Sequence, residues 1–152
     1  MVKVLVFYDS KYGNTKLAAE KIAEGLRSGG VEVDLGYIKE VSPEHSVDYD
    51  ALVLGAPNHM GRPSQAMKKF ITSLSAVGLK EKKVAVFGTY AGKVRVLDRA
   101  VRKMERMVQE KLPNVTLISP SLSVQVHGVS GPVVDGELPK CVGFGKDLVA
   151  QL

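Results

Sequence analysis

Val2-Lys3-Val4-Leu5-Val6-Phe7-Tyr8-Asp9-Ser10-Lys11-Tyr12-Gly13-Asn14-Thr15 decides the architecture of this 152-residue chain. An apolar run meets a short polar loop, and beyond it Ala18, Ala19, Ile22, Ala23, Gly25 and Leu26 recur on one helical face. Strand, tight polar turn and helix start together make the geometry of a phosphate site. Free N–H groups at a helix N-terminus point one way, and the helix dipole puts roughly half a positive charge behind them. Ser10, Asn14 and Thr15 add side-chain donors, and Gly13 lets the backbone come close to an anion.

The rest of the chain repeats strand and helix patterns. Val31 to Leu35 alternates with period two, as a half-buried edge strand does, whereas Ala51-Leu52-Val53-Leu54-Gly55 and Lys83-Val84-Ala85-Val86-Phe87-Gly88 are near-continuous apolar strands covered on both faces. Residues 40–49 read as a loop with at most a turn or two of helix. Pro63 suits the first position of a helix whose stripe is Met67, Phe70, Ile71, Leu74 and Val77. The most regular helix spans 94–112, with Val94, Leu97, Val101, Met104, Val108 and Leu112 inward and Arg95, Arg99, Arg102, Lys103 and Arg106 on the other face. A fifth strand begins at Val115 to Ile118, breaks at Pro120 and resumes through Leu122, Val124 and Val126. A Gly- and Pro-rich loop, 128–136, leads to a last helix with Leu138, Cys141, Val142, Leu148, Val149 and Leu152 facing inward.

Alternating strands and helices imply an α/β fold with a parallel sheet covered on both faces, and ligands bind beyond the carboxyl ends of such strands. Three loops leave those ends, at 9–15, 56–62 and 89–93, all rich in Gly, Asn, Ser, Thr or Tyr. Their convergence is the functional signal. The length suits one domain over 1–152, and a single cysteine, Cys141, excludes a disulfide framework or a cysteine-rich metal cage. The N-terminal apolar run is too short for a signal-peptide core or a membrane span, so a cytoplasmic setting is expected. The formal charge of +5 is mild, no aromatics interleave the arginines of 95–106, and neither nucleic-acid binding nor membrane insertion is expected. His45 and His127 have no carboxylate or cysteine at metal spacing. Cys141 lies on an apolar stripe and reads as a buried, inert thiol.

Tyr8-Asp9-Ser10-Lys11-Tyr12-Gly13-Asn14-Thr15 resembles the phosphate loop of flavodoxins. Gly55-Ala56-Pro57 and Phe87-Gly88-Thr89-Tyr90 resemble the ends of the third and fourth flavodoxin strands, and Glu137 to Gly145 is similar to the last helix of the flavodoxin domain in flavodiiron proteins. The resemblance covers essentially the whole chain. It implies a three-layer sandwich around a five-stranded parallel sheet in the order 2-1-3-4-5, with FMN bound without a covalent link. Carried over, Ser10, Lys11, Tyr12, Gly13, Asn14 and Thr15 would hold the phosphate. Pro57, Asn58, His59, Met60 and Gly61 would flank one side of the ring system, and Thr89, Tyr90, Ala91 and Gly92 the other. The chain departs from the family in having no tryptophan, which leaves the wall to Tyr90, alone or with Met60 or His59. It also has Arg62 and Lys93 where many flavodoxins surround the flavin with acidic residues.

The function so implied is a one- or two-electron carrier between a reductase and an acceptor protein, monomeric or weakly dimeric. The alternative is an FMN-dependent NAD(P)H:quinone reductase, although no long insertion offers a nicotinamide site. No nucleophile–base set is present, so no catalytic group is named. A signalling receiver would need an Asp at the end of the third strand, where Gly55-Ala56-Pro57 stands. A low-molecular-weight tyrosine phosphatase would need Cys-x5-Arg in the first loop, and the only cysteine is Cys141.

Overall fold

The computed structural model describes residues 1–92 and 98–152. Strand β1 (Lys3–Tyr8) leads into helix α1 (Asn14–Ser28), then edge strand β2 (Glu32–Tyr37) and a 3-10 turn, Pro43–Asp48. Next come β3 (Ala51–His59), the two-residue β4 (Arg62–Pro63), α2 (Gln65–Ser75), β5 (Lys83–Ala91) and α3 (Asp98–Lys111). The short β6 (Thr116–Leu117), β7 (Leu122–Val126) and α4 (Glu137–Val149) complete the order. The expected helix start at Val94 to Leu97, with Lys93 and Arg95, lies outside the described residues.

The parallel sheet runs β2-β1-β3-β5, with β6 and β7 sharing the next position along β5. This is the expected 2-1-3-4-5 order, with the fifth strand in two pieces, β6 on Lys83–Val84 and β7 on Phe87–Ala91. The seventh strand, β4, was not foreseen. It folds back antiparallel on the end of β3, pairing Asn58 with Pro63 and His59 with Arg62. Successive strands are added on one side of β1 at β2 and on the other at β3, and this switch between the parallel β1 and β3 leaves a crevice beyond their carboxyl ends.

Alternation along the strands divides the core. Val4, Val6, Val53, Ala85 and Phe87 pack under α1 and α4, while Leu5, Phe7, Leu52, Leu54, Val84 and Val86 pack under α2 and α3. Burying a Leu, Ile or Phe side chain fully is worth about 1.5–3 kcal/mol, and both sets include side chains with no exposed surface, Ile22 and Phe87 in one, Leu52 and Ile71 in the other. Helices α1 and α4 cross at glycines. A methyl on Gly25 would overlap the carbonyl oxygen of Val142, and one on Gly145 the carbonyl oxygen of Ile22. Pro63 is not the first helical residue of α2. Ser64 caps that helix, its Oγ accepting the Met67 N–H at 3.3 Å, and Pro63 is held one residue earlier by the β4 ladder.

Candidate functional site

The loop after β1 is built around Ser10. Its Oγ accepts the N–H of Gly13 at 3.1 Å and of Lys16 at 3.3 Å, which closes residues 10–16 into a tight turn. Gly13 sits at φ 91°, a left-handed conformation in which a Cβ would be costly, and its carbonyl accepts the Leu17 N–H that starts α1. The remaining first-turn N–H groups, those of Asn14 and Thr15, have no intrahelical acceptor. The Thr15 hydroxyl is buried and lies 2.7 Å from that of Thr89, near the end of β5. Each hydroxyl carries one proton and only one is used between them, so the pair keeps a donor for a third group.

The two other loops begin later than the residue types suggested. β3 continues through Pro57, Asn58 and His59, and β5 through Thr89, Tyr90 and Ala91, because ladder partners are available: Pro57 opposite Thr89, and Tyr90 opposite Gln125 of β7. Between β3 and β4 only Met60 and Gly61 turn, at φ 54° and 82°, a two-residue reversal with both residues left-handed. The Asn58 Oδ1 accepts the Gly61 N–H at 2.7 Å and braces that turn.

These segments enclose a cavity of about 600 Å³ at the carboxyl ends of β1, β3 and β5. Apart from Gly13 and Gly92, every residue expected at the site lines it. Those two glycines have no side chain to present to it, and the Gly92 carbonyl accepts from Gln125 Nε2 at 3.2 Å. Tyr90 is buried in β5 and contributes to the wall; Tyr12 and Met60 stand exposed at the opening. Lys11 holds its Nζ 5.3 Å from the Tyr12 ring centroid. Arg62 is exposed beside the turn and does not line the cavity, and Lys93 lies outside the described residues.

Sequence reasoning missed Val126 and Val129, which form the wall on the β7 side. Their signal was positional: the loop after the fifth strand also leaves a carboxyl end. It missed Glu137 too, a buried carboxylate in the first turn of α4. One oxygen accepts the Gln125 N–H at 2.8 Å, the other pairs with Lys140 at 2.9 Å, and that bond raises the Lys140 pKa. Glu137 thereby ties α4 to the strand that holds the Gly92 carbonyl. Tyr8, immediately before the first loop, has its pKa raised chiefly by burial and stacks on Tyr37 with ring centroids 5.7 Å apart.

A family model described as a flavodoxin domain matches residues 5–125. The chain belongs to the flavodoxin family. Its members bind flavin, and none of the described helices is long and apolar enough to cross a membrane. Over 71 residues it is 48% identical to a flavodoxin of Aquifex aeolicus, an overlap of 46% of this chain and 38% of that protein. Over 112 residues it is 34% identical to an NAD(P)H dehydrogenase (quinone) of Caulobacter vibrioides, covering 60% and 55% respectively. The chain thus spans about half the length, or less, of these curated relatives. Oxidised flavodoxin 2 from Bacillus cereus superposes with a TM-score of 0.84 at 25% identity, over 99% of this chain and all of that one. The flavodiiron protein of Giardia intestinalis shares the fold, with a TM-score of 0.79 at 18% identity, over 98% of this chain and 36% of that one.

Proposed function

We propose that this chain binds FMN without a covalent link and carries electrons, one or two at a time, between protein redox partners in the cytoplasm. One observation carries the reading: a cavity of about 600 Å³ has a helix N-terminus with hydroxyl donors at one end and mainly apolar and aromatic walls elsewhere. That size lies within the range of roughly 300–1,000 Å³ for small-molecule sites. The donor set fits a phosphate, since the Asn14 and Thr15 N–H groups, the Ser10 hydroxyl proton and the free proton of the Thr15–Thr89 pair can donate, and no carboxylate lines the described wall. The walls fit a flat ring system, with Tyr90 on one side and the Pro57 to Gly61 segment on the other.

FMN, when bound, supplies the redox chemistry; the chain binds it, orients it and limits water around it. Ser10 holds the phosphate turn closed, Asn58 braces the Met60-Gly61 reversal, and Gln125 fixes the Gly92 carbonyl. The test is a fluorescence titration with FMN and with riboflavin, alongside the visible spectrum of the purified protein before and after FMN addition. FMN is expected to bind at least tenfold more tightly, because charge-assisted hydrogen bonds are worth about 1.5–3 kcal/mol each. Equal affinity for the two flavins would remove the phosphate loop from the reading.

The 34% identity to a quinone-reducing NAD(P)H dehydrogenase supports a second reading, in which this chain itself oxidises NAD(P)H. Steady NAD(P)H consumption by the FMN-loaded protein with added quinone would establish it. Its absence, together with electron transfer to a protein acceptor, would leave the carrier.

A further inference from the structure

We propose that the mouth of this cavity is a docking surface for a small acidic redox protein; the proposal rests on the electron-carrier reading above. Five large apolar side chains among the described residues are conspicuously exposed, and three of them, Tyr12, Met60 and Val129, line this one cavity. They come from the segments after β1, β3 and β7, so they stand on both flanks of the β5 end. Met60 is the most telling. It occupies a left-handed position, φ 54°, where Asn or Gly would be less strained, and with 98% of its surface exposed it adds nothing to the core. Turn geometry and packing within the chain do not call for a methionine there; beside a bound flavin it would form part of the apolar rim that a partner covers. Exposed apolar side chains clustered around a ligand cavity are characteristic of an interaction site.

Charge selects the kind of partner. Lys11 is the one Lys, Arg, Asp or Glu on the described wall, held over the Tyr12 ring, and Arg62 is exposed two residues beyond Met60. Of the acidic groups nearby in sequence, Asp9 is buried and Glu137 is buried and paired with Lys140, while the exposed Asp135, six residues beyond Val129, does not line the cavity. An apolar centre with cations and no exposed carboxylate on the described wall complements a partner with apolar surface around its redox centre and carboxylates outside it. Attraction between the two steers encounter and raises the association rate, while the apolar contact expels water between the centres. An anionic membrane is less well matched, because lipid-binding basic segments usually gather about four to eight Lys or Arg. In the step served by docking, one electron leaves the reduced cofactor and reduces a one-electron centre of the partner, with no bond made or broken.

The experiment uses the FMN-loaded protein, reduced with dithionite and mixed in stopped flow with an acidic and, separately, a basic c-type cytochrome. The expected result is a rate with the acidic cytochrome that falls about tenfold from low to high ionic strength, and the opposite trend with the basic one. Lys11→Glu with Arg62→Glu should reverse both trends. As a second measurement, the zinc-substituted acidic cytochrome, which cannot accept the electron, is titrated into the isotope-labelled protein. Shifted amide resonances should map to Tyr12, Met60, Gly61, Arg62 and Val129, and Met60→Asn should weaken the binding severalfold. The same shift map in protein that takes up no FMN would overturn the carrier reading and keep the docking surface. Salt-independent rates, shifts confined to the α2–α3 face, or binding to phosphatidylglycerol vesicles with no response to the cytochrome would overturn the proposal.

Discussion

The hydroxyl oxygens of Thr15 and Thr89 lie 2.7 Å apart and buried, joining the first turn of α1 to the end of β5. The contact bridges 74 residues of sequence and couples the phosphate loop to the strand that supplies Tyr90. Thr15→Val should leave the Thr89 hydroxyl without its partner and cost about 1–3 kcal/mol of stability, whereas the double Val variant should lose less than the sum of the singles. Urea unfolding of the FMN-free proteins measures the coupling. The same Thr15→Val change should weaken FMN binding about tenfold, since a net hydrogen bond to a charged group is worth about 1.5–3 kcal/mol. A single variant as stable as the parent would mean that this hydrogen bond contributes nothing net.

Gly25 and Gly145 set how closely α1 and α4 approach. A methyl group at either would meet a backbone carbonyl oxygen of the other helix, and backbone cannot yield as a side-chain tip can. Gly25→Ala and Gly145→Ala should each cost about 2–4 kcal/mol, although alanine favours a helix by about 1 kcal/mol over glycine. Gly143 is the control: a methyl there meets nothing, so Gly143→Ala should stabilise slightly. Thermal unfolding of the three variants checks the order. Similar melting temperatures for all three would place the helices further apart than described.

The Met60-Gly61 turn makes an opposing pair of expectations. Both residues are left-handed, and Asn-Gly is the favoured pair for such a two-residue hairpin. Met60→Asn should therefore stabilise by about 0.5–1 kcal/mol, while Gly61→Ala should destabilise by about 1–2 kcal/mol through its Cβ at φ 82°. If Gly61→Ala is neutral in urea unfolding, the turn does not hold this conformation in solution.

What sequence could show here follows from how local the forces are. β1, β3 and β5 announce themselves because both faces are covered, which demands unbroken apolar runs such as Val4 to Phe7. The order of the sheet and the converging loops follow from that alternation and from the resemblance carried by Ser10 to Thr15. Strand ends were misplaced where pairing overrides residue type: Pro57 to His59 and Thr89 to Ala91 look like loop, yet each finds a ladder partner or a reversal that extends the strand. Pro63 misled because it satisfies the rule for a first helical position one residue before Ser64 satisfies the rule for a cap. Glu137 was invisible because its partner, the Gln125 N–H, is distant along the chain and becomes a neighbour only once β7 is laid down. Val129 is an ordinary residue type in a Gly-Ser-Pro loop, and only its place above the cavity gives it meaning.

The alkaline limb of stability should report on Cys141. Its thiol, on the inward face of α4, has no exposed surface, and burial first, then the Glu137 charge, pushes its pKa up to about 12 from an ordinary 9.0. The sign follows from proton counting. Below pH 9 the thiol is protonated whether the chain is folded or unfolded, and its contribution to stability is fully present. From pH 9 to about 12 the unfolded chain releases the proton and the folded chain retains it, so stability falls as pH rises, by at most about 1.4 kcal/mol per pH unit. Tyr49 behaves alike in a narrower window. Its hydrogen bond to Asp34, then burial, raises its pKa from 10.0 to about 12, so its contribution is lost only above pH 10. The interval from pH 9 to 10 therefore isolates the cysteine. Cys141→Ala should lower stability at pH 8 by about 1 kcal/mol for the lost packing, yet show a shallower decline than the parent between pH 9 and 10. Urea unfolding at half-unit pH steps gives both slopes. Identical slopes in that interval would mean that the thiol titrates alike in the folded and unfolded chains, and so is not sealed on the inward face of α4.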